Sequence, residues 1–252
     1  MSGQLIIVGL GPGPKDWVTP AATEAISGAD VVLGYAPYVN RLTPRPGQIF
    51  EASDNREELA RAERALAAAA GGQRVAVVSG GDPGVFAMAA AVYEAIEKNP
   101  TSAKGVEIRV EPGVTAMLAA AARIGAPLGH DFCAISLSDN LKPWTTIEKR
   151  LRLAAEADLV IALYNPASKA RPEQIRNAFD ILRTVLPDET IVVFARAVGR
   201  PDEDIDVTTL ARAADMLCDM RTLVIVGSQA TRKVQCADGR EWVYTPRSER
   251  VR

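Results

Sequence analysis

The chain has 252 residues, of which 48% are hydrophobic and 24% are charged, the composition of a globular enzyme with one large domain or two smaller ones. Its net charge of −2 argues against the basic surface that a nucleic-acid-binding domain needs. A local basic pocket is still possible, because the sequence contains 29 Lys and Arg residues.

The first half of the chain alternates short β-branched runs with helical stretches, the pattern of β-α units around a largely parallel sheet. Strands are predicted over 5–9, 30–33, 74–79 and 106–110. The predicted helices between them include 56–70, which is rich in Ala, Arg and Glu, and 85–98. This half predicts an α/β fold.

The second half continues the same alternation after a further helix that ends near 124. Strands are predicted over 132–137, 158–163, 190–195 and 222–226, and helices over 144–156, 168–186 and 209–220. The Pro112-Gly113 dipeptide indicates a boundary between domains. We therefore predict two α/β domains, 1–112 and 113–245, followed by a tail at 246–252.

The most informative motif is Gly80-Gly81-Asp82-Pro83-Gly84, between a buried strand and an alanine-rich helix. Glycine suits a sharp turn beside a ligand, and the carboxyl ends of strands are where open α/β sheets bind ligands. Asp82 and Pro83 stand where a phosphate would rest, so a hydroxyl-rich or cationic ligand fits better. The alternative is an ordinary turn in which Asp82 caps the helix and Pro83 begins it.

A second glycine motif, Gly9-Leu10-Gly11-Pro12-Gly13, follows the first strand. It resembles a dinucleotide fingerprint, but its third glycine is misplaced and prolines interrupt the helix that would receive a diphosphate. The second strand also ends in Gly34-Tyr35, without the acidic residue that binds an adenine ribose. A nicotinamide or flavin cofactor is therefore the weaker interpretation.

The cysteines and the N-terminus bear on the cellular location. Cys133, Cys218 and Cys236 are widely spaced and form no Cys-x-x-Cys pair, so disulfides, structural zinc and any other metal site are not expected. The sequence shows neither a signal peptide nor an apolar run of membrane-spanning length. We expect a cytoplasmic protein that binds no membrane and no nucleic acid.

Taken in order, three motifs resemble the tetrapyrrole (corrin/porphyrin) methylase family. They are the Gly9–Gly13 loop, the run Ser79-Gly-Gly-Asp-Pro-Gly-Val-Phe86, and Glu111-Pro-Gly-Val-Thr-Ala116. The segments 125–144, 163–171 and 197–201 further resemble those members that methylate carbon 17 of precorrin-3B. The similarity extends from Leu5 to about Thr231, which is nearly the whole chain.

The resemblance implies a two-domain α/β enzyme, usually a homodimer, that binds S-adenosylmethionine in the cleft between its domains and releases S-adenosylhomocysteine. By matching position, backbone groups of the loops would provide most of the contacts. The residues implied are Pro12, Gly80, Gly81, Asp82, Val85, Thr115 and Ala116, with Tyr164, Thr208 and Ala230 from less similar segments.

The implied reaction is methylation of precorrin-3B at carbon 17 with contraction of the macrocycle, giving precorrin-4. Contraction requires that a proton leave a ring hydroxyl, which is a task for a general base. His130 is the only histidine, and the adjacent Asp131 would set its tautomer and raise its basicity. The alternative is that these two residues only fix a tight turn.

A polycarboxylate substrate needs cations. The candidates are Lys142, Lys169, Arg171, Arg196 and Arg200, and for each the alternative is an ordinary solvated side chain. Lys142 and Arg171 are favoured because they fall within segments that resemble the family. Trp144, Tyr35 and Tyr38 are candidates for stacking on a macrocycle, although packing explains such residues as often.

Two rival functions remain open at this point. In the first, the same methylation acts on a cobalt-containing intermediate (cobalt-factor III) or another tetrapyrrole, since a metal in the substrate needs no protein ligand. In the second, the chain is a nucleotide-binding module or oxidoreductase on a Rossmann-like sheet and binds NAD.

Overall fold

The computed structural model describes residues 3–237 and 239–248. These described residues fall into two compact units, which divide between Thr115 and Ala116. This division falls close to the boundary predicted after residue 112. That the two units are separate domains in solution remains a proposal. Each unit is built around its own five-stranded sheet.

The sheet of the first unit is parallel throughout, with the strand order β3-β2-β4-β1-β5. Its strands are β1 (Gln4–Gly9), β2 (Val31–Tyr35), β3 (Ile49–Ser53), β4 (Arg74–Ser79) and β5 (Glu107–Glu111). The central strands β1, β2 and β4 are continuous apolar runs because both faces of the sheet are covered. The predicted strands of this half are confirmed, and β3 was missed.

Helices cover the two faces of this sheet. They are α1 (Pro20–Gly28), α2 (Ala36–Val39), α3 (Glu58–Ala70) and α4 (Met88–Lys98). Side chains of α3 and α4 pack with Leu5, Ile7 and Val77 on one face, whereas α1 and α2 pack with Ile6, Val8 and Val78 on the other. The alternation of these strand residues between two cores follows from the two-residue period of a strand. Both faces of the sheet are thus closed.

The second unit has a mixed sheet rather than the largely parallel sheet that the sequence pattern predicted. Its order is β10-β9-β11-β8-β7, and only the pair β7–β8 is parallel. The strands are β7 (Phe132–Ser136), β8 (Val160–Tyr164), β9 (Ile191–Arg196), β10 (Asp204–Thr209) and β11 (Thr222–Val226). The prediction was wrong because the interior strand β11 runs antiparallel to both β8 and β9, and the edge strand β10 runs antiparallel to β9.

The helices of the second unit are α5 (Ala116–Ile124), α6 (Trp144–Glu156), α7 (Gln174–Arg183) and α8 (Leu210–Ala213). The bounds of α6 agree with the prediction, but α7 and α8 are shorter than the predicted 168–186 and 209–220. Strand β10 includes Thr208 and Thr209, so the predicted start of the last helix is extended backbone. Helices α6, α7 and α8 pack on one apolar core with Phe179 and Phe194 at its centre.

A small third sheet lies in the second unit and was not predicted. It joins β12 (Arg232–Gln235), β13 (Glu241–Tyr244) and the two-residue β6 (Gly125–Ala126). Beside it, Thr245 donates to the carbonyl of Pro127 at 2.6 Å. The hairpin therefore holds the 125–130 segment, in which His130 lies. In the ranges 3–237 and 239–248, no helix combines the length and apolarity needed to cross a bilayer.

Candidate functional site

The two glycine loops of the first unit are hydrogen-bonded to each other. The amide of Gly11 donates to the carbonyl of Gly81, and the amide of Gly81 donates to the carbonyl of Gly11, both at 3.1 Å. Both glycines have positive φ, +62° and +66°, which side chains rarely tolerate. Because β1 and β4 are parallel neighbours, their loops emerge at the same sheet edge.

A third loop, after β5, packs against the first two. A Cβ on Gly113 would lie 2.3 Å from the carbonyl oxygen of Gly81, and a Cβ on Gly9 would lie 2.7 Å from the amide nitrogen of Gly113. No side chain fits at either contact. The three loops therefore form one backbone cradle, which we define as the segments 9–13, 79–85 and 111–115.

The Asp82 carboxylate is bound inside this cradle. Its Oδ1 accepts from the amide of Gly84 at 2.8 Å, and its Oδ2 accepts from the amide of Gly113 at 3.0 Å. Asp82 is thus not a helix N-cap, which the ordinary-turn interpretation required. It is a structural bridge between two loops, and both of its oxygens already have protein partners.

The helix after the second loop begins later than the predicted residue 85. Phe86 has a φ of +52° and Ala87 is extended, so helical backbone is interrupted and α4 begins at Met88. Pro83 therefore does not begin this helix. The Gly80–Gly84 turn carries no helix N-terminus, and the anion-binding dipole that a diphosphate exploits is absent from this loop in the described chain.

The remaining predicted cofactor residues of the cradle differ in exposure. Pro12, Gly80, Gly81 and Val85 are partly exposed, whereas Thr115 is buried at the end of the first unit. Ala116 is the first residue of α5 in the second unit. Only the cradle residues are therefore brought together within one unit.

The predicted cofactor residues of the second unit lie in separate elements. Tyr164 ends β8, and its hydroxyl accepts from the amide of Met117 at 3.1 Å. Thr208 lies in β10 and pairs with Val192 of β9. Ala230 lies in the turn before β12, where its amide donates to the Ser228 hydroxyl. Of the three, Tyr164 is the one tied to the start of α5.

The two favoured substrate-binding cations, Lys142 and Arg171, share one cluster with Asp139. Lys142 donates to the carbonyl of Ser138 at 3.0 Å, and Arg171, only 12% exposed, lies 3.8 Å from Asp139 Oδ1. Burial lowers the pKa of Lys142, the positive charges of Arg150 and Arg171 lower it too, and Asp139 opposes them.

Within the same cluster, Gln174 donates to Asp139 Oδ2 at 3.2 Å. No hydrogen-bond donor in the described ranges reaches the buried Asp139 Oδ1. This arrangement leaves a nearly buried guanidinium facing a carboxylate that is too distant for a hydrogen bond. A second carboxylate is therefore able to compete for the same cations.

The other basic and aromatic candidates are used differently. Arg196 forms ion pairs with Asp219 at 3.0 Å and Asp202 at 3.4 Å, which brace a loop. Lys169 is exposed. The aromatic candidates mostly pack within the protein: Tyr35 and Tyr38 meet edge to face, Tyr38 lies against Gly80, and Trp144 packs on the core of the second unit.

His130 and Asp131 lie in the bend between β6 and β7. His130 is partly exposed, Asp131 is exposed, and the carbonyl of Asp131 accepts from the amide of Val160 at 3.2 Å. Across residues 3–237 and 239–248 no hydrogen bond links the Asp131 carboxylate to His130. The hydrogen bond by which Asp131 would set the tautomer of His130 is therefore absent from the described residues, and the catalytic role of the pair stays a prediction.

Two elements near the predicted site were missed. Arg41 donates three hydrogen bonds to carbonyls of the first glycine loop. The β12–β13 hairpin holds the His130 segment, and its signal was present: two alternating runs flank Asp238-Gly239, a dipeptide typical of hairpin turns. Arg41 has no comparable local signal.

Comparison with known proteins agrees with an α/β methylase fold. The chain belongs to the tetrapyrrole (corrin/porphyrin) methylase family, whose sequence pattern matches residues 4–214. It is 61% identical over 247 residues to the Precorrin-3B C(17)-methyltransferase of Sinorhizobium sp, covering 98% of this chain and 97% of that protein.

Two further comparisons bear on fold and substrate. The crystal structure of the methyltransferase CobJ matches with a TM-score of 0.92 at 54% identity, covering 97% of this chain and 100% of that one. The Cobalt-factor III methyltransferase of Priestia megaterium is 41% identical over 233 residues, covering 92% of this chain but 43% of that longer protein. The predicted fold class and family are confirmed.

Proposed function

We propose that this protein is an S-adenosylmethionine-dependent methyltransferase of cobalamin biosynthesis. It methylates precorrin-3B at carbon 17, with ring contraction to precorrin-4. The observation that carries the proposal is the 61% identity to a protein of that name over nearly the full length of both chains. The interlocked glycine loops are the feature that suits the methyl donor.

The chemistry of the cradle fits S-adenosylmethionine better than a diphosphate. Its three segments contain no Lys or Arg, and their acidic members are Asp82 and Glu111. A zwitterion with a sulfonium and a ribose diol is matched by backbone amides and carbonyls and by nearby carboxylates. The donor supplies an activated methyl group when it is bound.

The cradle residues position this donor mainly through main-chain atoms. We assign that role to Pro12, Gly80, Gly81, Val85 and Thr115, with Asp82 holding the loops in register, and to Ala116, Tyr164, Thr208 and Ala230 from the second unit. Much of the rate of a methyl transfer comes from alignment of the reacting atoms, so few obligatory catalytic side chains are expected.

His130 is the proposed general base for ring contraction. It is the only histidine of the chain, it is partly exposed, and the β12–β13 hairpin supports its segment through Thr245. In this role its imidazole removes the proton of a ring hydroxyl. Asp131 lies beside it in sequence, and its exposed carboxylate acts on His130 only through its electrostatic field.

Lys142 and Arg171 are the proposed partners of the substrate carboxylates. Arg171 is nearly buried, and its partners are distant: Nη1 lies 3.5 Å from the Leu137 carbonyl and 3.8 Å from Asp139, and Nη2 lies 3.9 Å from Met220 Sδ. An incoming carboxylate would give this fork shorter, charge-assisted hydrogen bonds. Asp139 balances the charge of the two cations when substrate is absent.

The cobalt-containing substrate is the second candidate, and the 41% identity to a Cobalt-factor III methyltransferase is its support. The higher identity to a precorrin-3B enzyme favours the metal-free substrate. The NAD-binding alternative is not favoured, because the family match covers most of the chain.

Two experiments test the proposal. Calorimetry with S-adenosylhomocysteine and with NAD should show binding of the first alone. Purified protein is then given methyl-labelled S-adenosylmethionine with precorrin-3B or with cobalt-factor III. Label should move to precorrin-3B, and a mass shift should accompany formation of precorrin-4. Transfer to the cobalt compound alone, or binding of NAD alone, contradicts the proposal.

We also propose a cytoplasmic homodimer, the state usual for the family. The three cysteines are free thiols, which supports a reducing compartment. Light scattering coupled to size exclusion tests the dimer against the 26.9 kDa mass of one chain.

A further inference from the structure

We propose that Arg41 is the positioning residue of the first glycine loop, and that its guanidinium sets the affinity for the methyl donor. Arg41 follows α2, and its Nη1 donates to the carbonyl of Gly11 at 3.0 Å. Its Nη2 donates to the carbonyls of Leu10 at 3.0 Å and Gly13 at 2.9 Å. One side chain thus binds three carbonyls within four residues of chain.

These three bonds hold three peptide planes near Pro12. The Leu10 and Gly11 carbonyls belong to the two peptide planes before Pro12, and the Gly13 carbonyl belongs to the plane that joins Gly13 to Pro14. The proline ring already restricts φ at Pro12. Little freedom is left in this loop, although three of its five residues are glycines.

Arg41 also acts on the contact between the two glycine loops. The Gly11 carbonyl oxygen accepts from Arg41 and from the amide of Gly81. Because one oxygen serves both partners, movement of Gly11 away from Arg41 also moves it from the second loop. Arg41 is therefore coupled to the backbone of the whole cradle.

The planar fork of arginine is required for this arrangement. A guanidinium presents several N–H groups in fixed directions, whereas an ammonium is a compact charge on a flexible stem. A lysine at position 41 keeps the positive charge and loses the simultaneous contacts to three carbonyls. R41K consequently separates geometry from charge, and R41M removes both.

Arg45 provides a matched control in the same unit. Its Nε donates to the carbonyl of Ser27 and its Nη2 to the carbonyl of Ala29, both at 2.8 Å. These carbonyls precede β2, so they lie at the sheet edge opposite the cradle. R45K removes the same kind of guanidinium-to-carbonyl contacts without touching a glycine loop.

The experiment compares R41K, R41M, R41Q and R45K with the wild type. It measures the dissociation constant of S-adenosylhomocysteine, kcat, the KM for S-adenosylmethionine, and the amide hydrogen exchange of the segments 9–13 and 79–85. In R41K we expect the dissociation constant of S-adenosylhomocysteine and the KM for S-adenosylmethionine to rise about tenfold. The kcat at saturation should stay within about threefold of the wild type, because the lost contacts stabilise the ground state and the transition state equally. Exchange should speed up in both segments.

In R45K, the dissociation constant of S-adenosylhomocysteine and the KM for S-adenosylmethionine should stay within about twofold of the wild-type values, even if the melting temperature falls. The inference rests on the proposed function, and its failure is distinguishable from a failure of that function. If the wild type does not bind S-adenosylhomocysteine, the proposed function fails. If the wild type binds and R41K binds equally well, only the role of Arg41 is overturned.

Equal losses of affinity in R41K and R45K also overturn the proposal, because a general loss of stability would explain them. R41Q is uncharged and keeps fewer hydrogen-bond donors than arginine. It can replace R41K or R41M in the comparison with R45K if one of those variants fails to fold.

Discussion

The carboxylate of Asp82 accepts a hydrogen bond from the backbone amide of Gly113 at 3.0 Å, across 31 residues of sequence. Its other oxygen accepts from the amide of Gly84 at 2.8 Å. One side chain therefore joins the loop after β4 to the loop after β5. Since both loops belong to the cradle, the proposed cofactor site and its internal support share this residue.

The first prediction is that Asp82→Asn weakens the cradle. The amide keeps one acceptor oxygen, and its NH₂ group faces a backbone N–H where the second oxygen was. A lost hydrogen bond to a charged group costs about 1.5–3 kcal/mol, so we expect the free energy of unfolding to fall by about 2 kcal/mol. We expect the affinity for S-adenosylhomocysteine to fall about tenfold or more. Urea denaturation and calorimetry measure the two effects.

Asp54→Asn is the matched control for this variant. The Asp54 carboxylate caps a short 3-10 helix in the same unit and accepts from the amide of Asn55. Because Asn caps a helix about as well as Asp does, this substitution should change the free energy of unfolding little and leave cofactor affinity unchanged. If Asp82→Asn binds S-adenosylhomocysteine as tightly as the wild type does, the bridge has no role in the site.

The second prediction concerns the contact between glycine backbones. Gly113→Ala places a Cβ 2.3 Å from the Gly81 carbonyl oxygen, and neither backbone segment is able to yield without breaking loop contacts. Overpacking of this kind costs about 1–3 kcal/mol, so Tm and cofactor affinity should both fall. Gly28→Ala, at the end of α1 with no atom within 4 Å of the added Cβ, should leave both nearly unchanged or raise Tm slightly. If Gly113→Ala binds S-adenosylhomocysteine as tightly as the wild type does, the backbone cradle does not form the cofactor site.

The sequence predicted the first unit well because its strands carry a strong local signal. Arg74–Ser79 is a β-branched run buried on both faces, and its predicted bounds agree with the structure. Because β1 and β4 pair in parallel, their loops lie at one edge of the sheet, where Gly11 and Gly81 meet. The start of α4 was wrong, because the positive φ of Phe86 depends on how the loop closes.

The second unit was predicted less well because strand direction has no local signature. The run Asp204–Thr209 alternates polar and apolar residues, which is typical of an edge strand, but it was assigned to no strand. The pairing of Lys142 with Arg171 in one cluster was not derivable from spacing. Neither was the bridge of Asp82 to Gly113, since both depend on contacts between distant segments.

The third prediction tests His130 as the base for ring contraction. His130→Ala should bind S-adenosylhomocysteine with unchanged affinity and lose formation of the contracted product, because the cradle is intact while the proton acceptor is gone. Mass spectrometry and absorption spectra of the tetrapyrrole products measure contraction. Wild-type turnover by this variant removes His130 from the mechanism.

Asp131→Asn separates the base from its neighbour. The Asp131 side chain is exposed, and in the described ranges it makes no hydrogen bond to His130. We therefore expect Asp131→Asn to keep kcat within about threefold of the wild type, as exposed substitutions usually have small effects. A loss as large as that of His130→Ala would mean that the two residues act as a pair when substrate is bound.

The last prediction is a pH dependence that comes from Lys142. Burial lowers its pKa, so the ammonium loses its proton at a lower pH than an exposed lysine does. Attraction of a substrate carboxylate needs the protonated form. The KM for the tetrapyrrole should therefore rise as the pH increases toward this lowered pKa, while the KM for S-adenosylmethionine stays level.

Lys142→Arg remains charged and should abolish the rise, whereas Lys149→Arg, at an exposed position of α6, should retain it. Identical profiles of KM against pH for the wild type and Lys142→Arg would show that Lys142 does not bind the substrate.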